Sequence, residues 1–98
     1  MKRSLRKKTI ELKRREAESM ISDLNLIVVS LDRIGSTYRR QPRQLNAETT
    51  RFLKSIKLFK RLTQMRRILS EAYNAQTSET AVLRMEEKAE KLGYWKEK

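Results

Sequence analysis

Cysteine and histidine are absent from all 98 residues, and glycine and proline nearly so, at two and one. Without cysteine there is no disulfide, no thiolate metal site and no thiol nucleophile; without histidine the usual general base and the commonest metal ligand are missing. So little glycine and proline leaves few turns for a multistranded sheet. No apolar run approaches the roughly 18 residues of a membrane span, and no secretory hydrophobic stretch follows the basic amino terminus. A glycine-rich phosphate loop is also lacking, and Asp23 and Asp32, nine positions apart, share no helical face on which to act as a carboxylate pair. These absences predict a soluble, cytoplasmic, non-enzymatic chain with no cofactor, no metal and no membrane partner.

What the chain does have is positive charge: 24 Lys and Arg against 12 Asp and Glu, a net +12. The sign favours polyanions, nucleic acid before anionic membrane. Its distribution says more. Lys2, Arg3, Arg6, Lys7, Lys8, Lys13, Arg14 and Arg15 meet only Glu11, and from Arg39 to Arg67 the only acid is Glu48. Between these blocks Glu16, Glu18, Asp23 and Asp32 outnumber Arg33, and from Glu79 onward acids and bases balance.

The remaining composition is rich in helix formers, so the fold class is all-α. Residues 51–73, RFLKSIKLFKRLTQMRRILSEAY, organise the rest. Phe52, Ile56, Phe59, Leu62, Met65, Leu69 and Tyr73 recur at steps of three and four, which lays them on one packing side of a helix. Upstream, Ile10, Ala17, Leu24, Leu31 and Tyr38 repeat every seven, with Met20, Ile27 and Ile34 in the second seam position. Together they predict a long antiparallel helical hairpin, about 4–38 and 47–74, capped by Ser4 and Asn46 and joined by a loop containing Pro42. Ile27, Val28 and Val29 are β-branched, so a short buried strand is the competing reading there. Leu26, Val28 and Val29 lie off the seam and require a second neighbour.

A shorter third helix, about 79–92, is predicted after a polar break, with Thr77 or Ser78 as cap and Gly93 at its end. Tyr94 and Trp95 are expected to pack back onto it, the alternative being an exposed Trp that anchors a partner. The whole is one domain, 1–98, with frayed ends at 1–8 and 94–98.

Lys54, Lys57, Lys60 and Arg61 occupy one arc of the second helix, away from its apolar side, with Arg66 and Arg67 beside them. Neighbouring cations at steps of three and four stand about 5–6 Å apart, comparable with phosphates along a strand. The loop arginines Arg39, Arg40 and Arg43 would clamp phosphates, with Tyr38 either stacking on a base or closing the hairpin core. No zinc finger, homeodomain or RNP-type motif is present, so backbone recognition of RNA or DNA is expected rather than base reading. Interhelical pairs between Asp23 or its neighbours and Lys60, Arg61, Arg66 or Arg67 would reduce that charge only in part. In composition and expected shape the chain resembles small basic helical subunits of RNA-guided effector complexes and plasmid-borne helical-hairpin RNA binders; that likeness carries no residue assignments. The rival expectation is a protein-interaction module, an inhibitor, immunity or assembly factor docking an acidic partner. Either way other protein subunits or a second copy are expected, since a chain this short buries a modest core.

Overall fold

The computed structural model describes residues 9–98. They form four helices: α1 (Arg14–Thr37), α2 (Pro42–Ser55), α3 (Leu58–Gln76) and α4 (Glu79–Glu90), with no strand among the described residues. Ile27 to Val29 are helical, within α1.

The first helix starts later than its heptads predict. Ser4 lies outside the described residues, and 9–13 are not helical. The reason is a competing set of hydrogen bonds. The Glu11 N–H donates to the Gln76 side-chain oxygen at 2.9 Å, and the Gln76 amide donates back to the Glu11 carbonyl at 2.7 Å. Gln76 thus pairs with a backbone unit as another peptide would, which holds Glu11 out of the helix.

The second limb of the hairpin is two helices, not one. Pro42, placed in the loop by the sequence reading, opens α2: its fixed φ suits the first helical turn, where a missing N–H costs nothing. Asn46 is therefore inside the helix and caps nothing. α2 ends at Ser55 because Lys57 adopts a left-handed backbone, φ +53. The Lys57 N–H donates to the Lys54 carbonyl at 3.1 Å, and α3 begins one residue later. Glycine normally stands at such a position. A Lys57→Gly substitution should therefore raise stability by about 0.5–1 kcal/mol, the left-handed penalty relieved less the entropy of the new glycine. A urea midpoint that fell instead would show that no strain is held there.

Breaking the limb changes its phase. Beyond the junction the inward stripe is Leu58, Arg61, Met65, Ile68 and Ala72, half-buried or buried, whereas Phe59, Leu62 and Leu69 are exposed. Leu53, Leu58 and Ile68, off the stripe of a continuous helix, are half-buried instead.

The described chain divides into two compact units. Leu12–Ile68 holds α1, α2, which packs against it, and the first part of α3. Met20 and Met65 are its buried residues, 7% and 6% exposed; Ile27, Ile34, Tyr38, Phe52 and Ile56 are half-buried. Leu24 of the seam is exposed, as are Ile21, Val28 and Val29.

The other unit joins the segment ending at Glu11 to Leu69–Lys98. Its helix α4 is capped by Ser78, whose hydroxyl accepts from the Ala81 N–H at 3.1 Å, with Glu79 in the first turn. It ends at Glu90 through bonds from Lys91 to Lys88 and from Leu92 to Ala89, reaching Gly93 at φ +74. Replacing Ser78 by Ala should destabilise α4 by about 1 kcal/mol. Amide exchange in its first turn is the readout, and unchanged rates at Ala81 would mean the cap contributes nothing. Tyr94 and Trp95, expected to pack on this helix, are exposed.

Candidate nucleic-acid interface

One continuous helix would carry the cations on a single arc, and the break at Lys57 rearranges them. Lys54 now belongs to the last turn of α2, Lys57 to the junction and Lys60 to the first turn of α3. They still converge. Lys54, Lys57 and Lys60 line one open hollow together with Leu53, Leu58 and Phe59. Lys60 also borders a second hollow with Phe59, Thr63, Gln64 and Arg67. No acid lines either one, whereas a third hollow places Lys57 and Lys60 beside Arg61 and Asp23; none of the three lysines has an ion-pair partner among the described residues. Lys60 and Arg67 are seven residues apart and so lie on one face of α3. The Arg67 guanidinium is steadied by a 2.7 Å bond to the Gln64 side-chain oxygen.

Arg61 is diverted. Its Nη1 donates to Asp23 Oδ1 at 2.5 Å and its Nε donates to the Ile56 carbonyl at 2.7 Å. The side chain is 37% exposed and that of Asp23 19%. One guanidinium therefore fastens α1 to α3 and satisfies a carbonyl that the end of α2 leaves open. Its position is a structural joint rather than a free cation facing outward.

The other predicted cations separate into groups. Arg66 is exposed but sits about 120° around α3 from Lys60. Arg39 and Arg40 are exposed in the turn between α1 and α2, and Arg43 is exposed in the first turn of α2. Arg43 and Lys54 share a face of α2, about 20° apart in azimuth and about 16 Å along the axis. Tyr38 is half-buried, in keeping with the core reading. Arg51 is held above the usual guanidinium range by its hydrogen bond to Glu48, then by that carboxylate's charge, and so pairs locally at 2.5 Å.

Sequence reasoning missed Phe59 as a surface residue. It is 81% exposed and touches both hollows. No glycine or proline marks the break that turns it outward, so the sequence carried no signal for it.

Among the described residues no cluster of three acidic, His or Cys side chains could hold a metal ion, and no helix is long and apolar enough to cross a membrane. No protein-family model, curated protein or solved structure matches this chain.

Proposed function

We propose that this chain is a non-enzymatic nucleic-acid-binding protein, or a small subunit of a nucleoprotein complex, that holds the phosphate backbone electrostatically with little base preference. The observation that carries the reading is the convergence of Lys54, Lys57 and Lys60, from two helices and the junction between them, on one hollow without an acid. Arg67 extends it along α3 and Arg43 along α2. Helix polarity supports the same reading. Neither α2 nor α3 has an acid in its first turn, while Arg43 stands at the start of one and Lys60 at the start of the other. Cations at that end of a helix are unfavourable by about 0.3–1 kcal/mol, a cost that a bound phosphate reverses. Arg61, engaged with Asp23, supports the surface without belonging to it. Fluorescence-anisotropy titration with single-stranded RNA, single-stranded DNA and duplex over a salt series is the test. Binding should weaken steeply and log-linearly with salt. Salt-insensitive binding, or none at low salt, would rule this reading out.

A second reading, association through protein surfaces, is favoured by a separate observation. Ile21, Leu24 and Val28 form an exposed stripe on α1 at steps of three and four. Sedimentation of the nucleic-acid-free protein distinguishes a chain that pairs through this stripe from one that stays single.

A further inference from the structure

In an uninterrupted helix Phe59 would share the azimuth of Phe52 to within about 20° and would pack beside it. Phe52 is half-buried and Phe59 is 81% exposed. The difference is produced at Lys57, whose left-handed backbone resets the phase of α3 so that Phe59 faces water. Two unfavourable features, a lysine where glycine is preferred and an aromatic ring left in solvent, thus coincide at one point. They fall where the free cations gather. The ring borders two hollows, one lined by Lys54 and Lys57, the other by Arg67, and both by Lys60.

Cations about an exposed ring are what a single nucleic-acid strand requires: phosphates meet the charges and an unpaired base lies on the ring. In a duplex both faces of each base are covered by its neighbours, so the ring gains nothing there. A lipid surface fits less well. Insertion needs a continuous apolar face; Leu53 and Leu58 beside the ring are half-buried, Leu62 is the next exposed apolar residue on α3, and the second hollow at the ring is otherwise polar, lined by Lys60, Thr63, Gln64 and Arg67. Building on the electrostatic reading above, we propose that Phe59 is a base-stacking platform that makes this site selective for single-stranded over double-stranded nucleic acid.

The test uses the full chain and its Phe59→Ala and Phe59→Tyr variants with a single-stranded oligonucleotide carrying 2-aminopurine and with the matching duplex. Removing so exposed a ring leaves the fold intact, which thermal melting checks. Phe59→Ala is expected to weaken single-strand binding about tenfold, to leave duplex affinity and the salt slope unchanged, and to abolish the quenching of 2-aminopurine. Phe59→Tyr, which keeps the ring, should restore both the single-strand affinity and the quenching. Unchanged single-strand affinity in Phe59→Ala, or equal losses on both polymers, overturns the stacking assignment while salt-dependent binding leaves the electrostatic reading in place. Absence of binding by the unaltered protein at low salt overturns both. Co-flotation with phosphatidylserine vesicles that is lost in Phe59→Ala, with oligonucleotide affinity unchanged, assigns the ring to membrane and overturns the proposal.

Discussion

Changing Lys54, Lys57 and Lys60 together to Gln should lower affinity for a single-stranded oligonucleotide about a hundredfold at 0.1 M salt, with the fold unharmed. Each phosphate neutralised on a single strand contributes about 0.7 to the slope of log affinity against log salt, so losing all three should flatten it by about 2. If the two proteins converge near 1 M salt, where counterion release vanishes, that slope becomes about two orders of magnitude at 0.1 M. Gln retains most of the side-chain length, so charge is the main thing removed. The lysines are exposed and have no ion-pair partner among the described residues, and the chain carries net +12, so relief of repulsion should keep the melting temperature level or raise it slightly. Equal affinity and equal slope in the triple variant would move the binding surface elsewhere, most directly to Arg39 and Arg40.

Asp23→Ala should do the opposite, lowering stability and sparing the interface. Asp23 is an acid and can only repel phosphate, yet it anchors the guanidinium that joins α1 to α3 and caps the Ile56 carbonyl. Breaking a fully buried pair costs about 3–5 kcal/mol. With Arg61 37% exposed, solvent screening reduces that to about 1–2 kcal/mol. For a domain of this size the melting point should fall on the order of 5–15 °C. Arg61→Ala should cost at least as much, because it also leaves the Ile56 carbonyl without its partner, and the double variant should show coupling between the two sites. Below the melting transition Asp23→Ala should bind oligonucleotide at least as tightly as the unaltered chain, because Asp23 borders a hollow with Lys57, Lys60 and Arg61 and its removal takes a negative charge from beside them. A loss of affinity without a loss of stability in Arg61→Ala would return Arg61 to the binding surface.

The two experiments separate residues that sequence periodicity placed on one arc. Lys57 and Arg61 are four apart and read as equivalent, but Lys57 sits in the turn between helices and Arg61 points inward to α1. The difference was not legible because helix breaks are read from glycine and proline, and residues 54–60 contain neither. Pro42 is a contrasting case. Its preference for the first helical turn was available in the sequence, but a proline soon after Gly35, Ser36 and Thr37 is equally a loop signal. The cap of α4 was legible only to within one residue, Thr77 or Ser78, since both carry a hydroxyl; the structure selects Ser78, which accepts from the Ala81 N–H, while the Thr77 hydroxyl donates back to the Tyr73 carbonyl.

The sequence by itself determined what depends on near neighbours: an all-α fold class, the segregation of its charge, the polar break before α4 and, to within one residue, the cap that begins it. Helix propensity, capping and charge density act within a few residues, so composition and spacing suffice for them. The tertiary structure decided which face of α3 turns inward, and with it the exposure of Phe59 and the engagement of Arg61. Those outcomes follow from one left-handed residue at Lys57 and from a carboxylate 38 positions before Arg61. A single backbone rotation shifts the azimuth of every residue after it, and the interaction that holds the new phase comes from a distant part of the chain that local spacing does not reveal.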